Sequence, residues 1–578
     1  MFEDVPAPDA EPTLILAGGR VVTVDPEFTV AQAVAVAGDR IVAVGSDAAV
    51  RALAGPATRV VELAGRSVLP GINDSHLHAA AYGMTRPPFA LDVGSPAVGS
   101  IADVVHAVRA AVAGARPGEW IVGLGWDTGY LAECLADPSR VPDRHDLDAV
   151  APDNPVCLSH FSAHMIWANS AALAAAGIDR DTVPPPGGII DADAHGEPTG
   201  ILREAAQERV QQAIPEPDRA RRRALITSAI ADLHSRGITS YTEPGLGPGG
   251  GGILLGGLSG ENLAAYYELA AAGELEARVS VLLLPETGAA AQPLDPIPEA
   301  EDPRRLRIIG VKVFADGVPP NHTAWMHEPY CDGGGHGSLN MTGEELRRAI
   351  AEAHAAGYQL GVHATGDRAI DAVVDAFVAA NEAVPRPDAR HYVIHGDFVS
   401  AASLAKLAAH GYGLNMNPGI KWMTSDLMDE VVGPQRSAYQ WPVRTAMEAG
   451  IPVCSSSDAP VTEPDWRRAI AAMMLRESRA SGRPSGPEQC VDLADALRAY
   501  TTNAARQDFA EQWKGSIEVG KVADLCVLDR DLTALDPHEI PEVLVDLTVF
   551  DGRVVYERPG RRADGSQDGA QGGSQDGS

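Results

Sequence analysis

The stretch SVLPGINDSHLH, residues 67–78, decides how the rest of the chain is read. Its first seven residues are a short apolar run of strand type, and Asp74-Ser75-His76-Leu77-His78 follows directly. On an extended backbone, residues two apart project to one face, so both imidazoles can reach a single metal ion. One such pair is weak evidence by itself. Its weight depends on whether other potential ligands recur at comparable positions.

They do. Seven further strand-like runs follow: GITSYTE (237–243), RVSVLLLP (278–285), RIIGVKVFA (307–315), YQLGVHA (358–364), HYVIHG (391–396), YGLNMN (412–417) and IPVCSSSD (451–458). Helical stretches with apolar residues near a 3.6 period fill the intervals, for example 343–357 and 369–383. Eight strands alternating with helices predict an α/β protein built on a (β/α)8 TIM barrel. All C-terminal strand ends of such a barrel face one mouth. His76, His78, Lys312, His363, His395 and Asp458 stand at or near those ends and could converge there.

Outside the barrel pattern the periodicity changes. Residues 14–64, and again 521–529 and 547–557, are short alternating apolar runs broken by Gly18-Gly19, Gly38-Asp39 and Asp551-Gly552 turns. The expected organisation is the N-terminal part of a small β-sandwich at 12–66, the barrel at 67–510 and the C-terminal part of the sandwich at 511–558. The first barrel interval, about 85–225, is too long for one crossover and is expected to be an inserted subdomain over the mouth. The Gly/Ser/Gln/Asp-rich end, 559–578, is expected to be disordered.

The cations are unevenly used. The chain has 5 Lys and 41 Arg, and Lys312 is the only lysine in the first 405 residues. Between Val311 and Val313-Phe314 its ammonium is desolvated, which favours the neutral amine. A neutral amine can take up carbon dioxide as a carbamate whose two oxygens bridge two divalent ions. A lysine whose head reaches solvent is the alternative. Asp458, in SSSDAP, can bind metal and take a proton from water whose pKa a metal lowers toward about 7. It could deliver that proton to a leaving nitrogen, whereas in isolation an Asp after Ser457 would more often cap a helix.

PGINDSHLH (70–78), VKVFADG (311–317), GEELRRAIAEAHAAGYQLGVHATGDRAIDAV (343–373), IPVCSSSDAPV (451–461) and TTNAARQDFAEQWKGSIEVGKVADLCVLDRD (501–531) resemble the amidohydrolase superfamily, in its YtcJ-like branch. The resemblance covers the chain to about residue 557. It implies the barrel and two-ended sandwich, and a metal shell of His76, His78, carboxylated Lys312, His363, His395 and Asp458 holding two zinc ions. The implied activity is hydrolysis of a C–N bond in a small organic amide, formamide or cyclic amide, with Asp458 as general base and acid. A mononuclear deaminase-type hydrolase and an inactive scaffold of the same fold are the alternatives. Two departures stand out. Ile394 precedes His395 where relatives carry Glu, which removes a hydrogen-bonding partner, and DGVPPNHTAWM follows the lysine where a small-residue turn is usual.

Segments 123–130 and 159–173 resemble pocket-lining segments of the family and nominate Trp126, Asp127 and His164 as substrate contacts. A core Trp126 and a satisfied buried His164 are the competing reading. Glu243, Asp316 and His322 are further candidates at the mouth. GLGPGGGGILLGG (245–257) lacks the Lys-Ser/Thr of a phosphate loop and is read as a flexible loop over the site. RARRRA (219–224) is read as a solvated helix face.

With 78 acidic against 46 basic residues and a net charge of −32, the chain is expected to bind neither nucleic acid nor an anionic membrane surface. Its six cysteines lie far apart, as in a reducing compartment. The acidic, Pro-rich first residues do not read as a secretory signal, and no 18-residue apolar run occurs. A cytoplasmic protein with a small-molecule substrate is expected, a homodimer being the base-rate assembly.

Overall fold

The computed structural model describes residues 11–162, 164–250, 257–286 and 301–560. Residues 561–578 of the tail expected to be disordered, and residues 251–256 of the glycine-rich loop, lie outside the described residues. The chain divides into two compact units, one from residues 1–79, 230–251 and 258–578, the other from 80–229 with 252–257.

In the first unit eight parallel strands form one sheet. They are β1 (Ile72–Asp74), β2 (Ile238–Leu246), β3 (Arg278–Leu283), β4 (Leu306–Phe314), β5 (Gln359–Ala364), β6 (Tyr392–His395), β7 (Gly413–Met416) and β8 (Val453–Ser455), hydrogen-bonded in chain order. Just beyond the two end strands the chain closes on itself. Asp458 N donates to His76 O and His78 N to Ala459 O, both at 2.9 Å, and Ser75 Oγ donates to Ser455 O at 2.9 Å. The protein has a TIM-barrel fold. Inside, Leu282, Ile309, Tyr392 and Ile394 form a buried cluster from β3, β4 and β6.

The helices start where the sequence satisfies their first N–H groups. Thr342 Oγ1 accepts from Glu345 N, and Glu345 returns a carboxylate to Thr342 N, so Gly343–Ala355 begins with a capping box. Apolar positions Leu346, Ile350 and Ala353 of this helix are buried, three or four residues apart.

One strand was read too long. Residues 67–73 do not form a single barrel strand: Ser67–Pro70 belongs to a different sheet and β1 starts at Ile72. Gly71 is the pivot, because a Cβ there would meet Thr239 Oγ1 at 2.1 Å. Ser67–Pro70 pairs with Arg20–Val22 on one side and with Leu525–Leu528 on the other, so both ends of the chain share a six-stranded sheet. A four-stranded sheet from Leu14–Ala17, Ala33–Ala37, Arg40–Gly45 and Arg59–Glu62 supplies a second layer. Leu14, Leu16, Val34 and Val61 of that layer share a core with Val21, Val68, Leu525, Val527, Leu547 and Val549 of the first. Alternation along each strand sends these residues to one face, the packing of a β-sandwich.

The floor of the barrel is tied down by charge. Arg278, the first residue of β3, pairs with Asp524 at 2.6 Å and Asp551 at 2.5 Å, and Lys514 Nζ donates to Asp508 Oδ2 and Ser240 Oγ at 2.6 Å each.

The second unit carries its own six-stranded sheet, ordered Gly188–Ala192, Pro198–Glu204, Met165–Ala168, Val156–His160, Ile121–Trp126 and Leu91–Asp92. Leu158, Trp167 and Ile201 fill the core on one face, and Cys157, Ile166 and Leu202 that on the other. Arg222 of the basic cluster is buried and paired with Glu216 at 2.8 Å, so that helix face is not wholly solvated. Among the described residues no helix is long and apolar enough to cross a membrane.

Candidate metal centre

His76 and His78 leave β1, Asp458 leaves β8, and the seam hydrogen bonds between these segments bring the three together. His76 Nε2 lies 3.2 Å and His78 Nε2 3.4 Å from Asp458 Oδ1. One potential ligand atom from each of His76, His395 and Asp458 falls within 4.8 Å of the others. The His395 ring adjoins that of His76 at a centroid distance of 5.4 Å and that of His363 at 4.6 Å. Lys312, on β4, is buried, with Nζ 4.7 Å from the centroid of Phe314 and no ion pair among the described residues. Five of the six residues read from the strand ends thus form one chain of contacts, and the sixth lies beside it on β4, with Phe314 between Lys312 and His363.

The ring orientations follow from their partners. His363 Nε2 faces Gly317 O at 2.9 Å and must donate to it, leaving Nδ1 with its lone pair. Asn417 Nδ2 donates to Ser456 Oγ at 3.0 Å, which turns Oδ1 toward His395 Nδ1 at 2.7 Å and leaves Nε2 as the lone-pair nitrogen. The hydrogen bond that Ile394 cannot make is therefore replaced by Asn417, at the end of β7, while Ile394 packs in the barrel interior. His395 and Asp458 both have left-handed backbones, φ 70° and 57°, which an L-residue holds only where its surroundings enforce it.

Electrostatics favour metal-binding forms. Burial, with Lys312 nearby, pushes His76 and His363 well below the usual imidazole range, and burial lowers His395 as well. Burial alone would raise Asp458, but His76, His78 and His395 overcome it and hold the carboxyl well below its ordinary value. Burial pushes Lys312 down to about 7. His78 goes the other way: burial would lower it, but Asp458 and Glu243 together raise it. Neutral imidazoles at His76, His363 and His395, a carboxylate and a lysine near its neutral form are a donor set for divalent transition metals. His76 Nδ1 and His78 Nδ1 are both buried without a hydrogen-bond partner among the described residues.

The other nominated residues serve different ends. Glu243 is fully buried and accepts from Ala79 N and Tyr266 Oη at 2.9 Å each, with Oε1 3.4 Å from His78 Nδ1, so it supports the site and does not face a substrate. Asp316 is likewise occupied, accepting from Trp325 N, Thr365 N and Gly366 N at 2.8–3.0 Å; it pins the loops after β4 and β5. His322 sits in the loop after β4, bonded to Asp332 at 2.7 Å. In the second unit Trp126 is core, with no exposed surface and its Nε1 donating to Leu158 O at 2.8 Å. Asp127 accepts from Gly129 N and lies 3.3 Å from His160 Nε2. His164 is exposed, paired with Glu204 at 2.9 Å, so it is neither buried nor satisfied by a core. Asn417 and Gly317 escaped the sequence reading although they end YGLNMN and VKVFADG, because an amide and a backbone carbonyl carry no ligand signal of their own.

The amidohydrolase family pattern matches residues 59–556, spanning every residue of this cluster. The chain belongs to the amidohydrolase family. It is 31% identical to the N-substituted formamide deformylase of Arthrobacter pascens, over 95% of this chain and 99% of that one. The Bacillus subtilis YtcJ protein is 30% identical over 87% of this chain and 91% of its own. Among solved structures, an uncharacterized metal-dependent hydrolase from Pyrococcus furiosus superposes with a TM-score of 0.70, at 27% identity, over 91% of this chain and 99% of that one. As an amidohydrolase the protein is a hydrolase.

Proposed function

We propose that this amidohydrolase is a metal-dependent enzyme that cleaves a C–N bond in a small organic amide, formamide or cyclic amide. The observation that carries the reading is the approach of His76, His395 and Asp458 within 4.8 Å, with a buried, unpartnered His76 Nδ1. His76, His78, His363, His395 and Asp458 would hold divalent metal, zinc first, and a carbamate on Lys312 would allow two ions. Such ions supply Lewis acidity, polarising a carbonyl oxygen and making water acidic enough to lose a proton near neutral pH.

The chain's own residues do the rest. Burial favours the neutral rings of His76, His363 and His395, and Gly317 O and Asn417 Oδ1 fix which nitrogen of His363 and His395 offers its lone pair. Asp458 starts ionised, so it can accept a proton from water and later release it to the departing nitrogen. Its backbone bond to His76 O keeps the carboxylate beside both β1 histidines. The similarity to a formamide deformylase over nearly the whole chain supports N-substituted formamides as the first substrates to test.

A single-ion site is the second reading, favoured by the three-residue size of the tightest cluster. Metal analysis of protein purified without chelator separates the two. About two equivalents per chain, with metal and activity lost together in Lys312→Ala, is the binuclear outcome. One equivalent that survives Lys312→Ala selects the single-ion site, and protein that holds no metal and hydrolyses none of the formamides, amides or hydantoin-like rings screened removes the proposal.

A further inference from the structure

Both histidines of the Asp74–His78 segment bury an Nδ1 without a hydrogen-bond partner among the described residues, but His78 Nδ1 faces an acceptor at close range, Glu243 Oε1 at 3.4 Å, which has no hydrogen-bond partner either. The other oxygen of Glu243 is held by two donors, Ala79 N and Tyr266 Oη, both at 2.9 Å. Behind Tyr266, Tyr241 Oη lies 2.9 Å from its hydroxyl. Tyr266 gives its proton to Glu243, so Tyr241 must be the donor to Tyr266. Glu243, Tyr241 and Tyr266 have no or almost no exposed surface. Tyr241 and Glu243 are two apart on β2 and share a face, and Tyr266 lies on the helix Gly260–Ala271 that follows β2. This row of side chains therefore occupies the helix-facing side of the barrel wall, away from its interior.

From this arrangement we infer that Glu243, braced by Tyr266 and Tyr241, is a positioning residue that keeps a proton on His78 Nδ1 and so leaves Nε2 as the nitrogen available to a metal held with Asp458. A carboxylate has only acceptors, and with Oε2 occupied by two donors Oε1 has one nearby partner to take a proton from. A histidine whose distal nitrogen donates to a carboxylate is fixed in tautomer and ring angle, and the loss of such a partner weakens metal binding by about 10–100-fold. The inference rests on His78 being a ligand, as proposed above.

Glu243→Gln isolates the effect. Glutamine keeps Oε1 as acceptor for Ala79 N and Tyr266 Oη, but it offers an N–H where His78 Nδ1 has faced an acceptor. The packing stays and the sense of one hydrogen bond reverses. In the metal-free proteins, 15N NMR of labelled histidine should find Nδ1 of His78 protonated in the wild type and unprotonated in Glu243→Gln. Zinc affinity measured by chelator competition should fall about 10–100-fold in Glu243→Gln and by a smaller factor in Tyr266→Phe, with thermal melting of the metal-free forms nearly unchanged. Wild-type zinc affinity in Glu243→Gln would overturn the inference. So would an unprotonated His78 Nδ1 in the wild type, a measurement that stands even where the variant does not fold. Wild-type protein that binds no zinc would instead remove the function proposed above.

Discussion

Lys312 and Lys514 are both buried in the barrel unit, one on β4 beside the histidine cluster and the other beneath the opposite strand ends, and their surroundings differ. Lys514 has a carboxylate and a hydroxyl within 2.6 Å, and the adjacent Arg278 has two carboxylates. Lys312 has an aromatic ring and, among the described residues, no ion pair. At the floor Arg278 and Lys514 are matched by carboxylates, and at the mouth His76 Nδ1 and His78 Nδ1 are left without hydrogen-bond partners among the described residues. A fold tolerates the second condition only where something else depends on it, which is the usual division of a TIM barrel between a stabilising bottom and a reacting top.

The contrast breaks most visibly at Asp458. Asp458→Asn should lower kcat/KM by about 10³-fold while leaving the melting temperature close to that of the wild type, since a proton carrier contributes typically 10²–10⁴-fold. Steady-state kinetics on the best formamide or amide from the screen, beside thermal melts, checks both halves. A large fall in stability with activity retained would place Asp458 with the floor residues.

The two lysines sharpen it next. Lys514→Met leaves Asp508 buried without its cation and should cost about 3–5 kcal/mol in denaturant unfolding. Lys312→Met should cost nothing or stabilise the metal-free protein, because burial of its amine outweighs the pull of the Asp458 carboxylate. The sign with pH follows from its depressed value of about 7 against 10.5 in the unfolded chain. Below about pH 7 both states are protonated and folding carries the whole cost of burying an ammonium. Between pH 7 and 10.5 only the unfolded chain holds the proton, so the stability of the metal-free protein rises with pH, and above that window the cost is gone. Urea titrations from pH 6 to 10 should show this slope reduced in Lys312→Met.

The smallest expected effect lies in the second unit. Trp126→Phe removes the bond to Leu158 O and should cost about 1–2 kcal/mol. Activity per folded molecule should stay within twofold, measured as kcat/KM against the active fraction. A tenfold change in KM would return Trp126 to the list of substrate contacts.

Much of the barrel was readable because each strand is a short apolar run between polar helical faces, and seven of the eight runs agree with the structure to within about three residues. The eighth failed at Gly71, where one continuous apolar run serves two sheets; hydrophobicity alone carries no sign of that change of partner. Ligand candidates at strand ends were readable because strand order dictates where ends go. Their supports were not. Gly317 acts through its carbonyl, Asn417 through an amide set by Ser456, and Glu243 through a ring on another strand, so each depends on neighbours distant in sequence. Trp126 was undecided because pocket walls and cores use the same side chains.

The pairing of Ser67–Pro70 with Leu525–Leu528 also bears on how the molecule is made. The ribosome produces the first strand, and the histidines just after it, long before its neighbour exists. At about 5–20 residues per second the wait is on the order of half a minute to a minute and a half. For that period the nascent chain carries an open strand edge that only its own far end can cover. Protection from aggregation during synthesis, by chaperones or by the polar helices made in between, is therefore a requirement of this topology before any metal is bound.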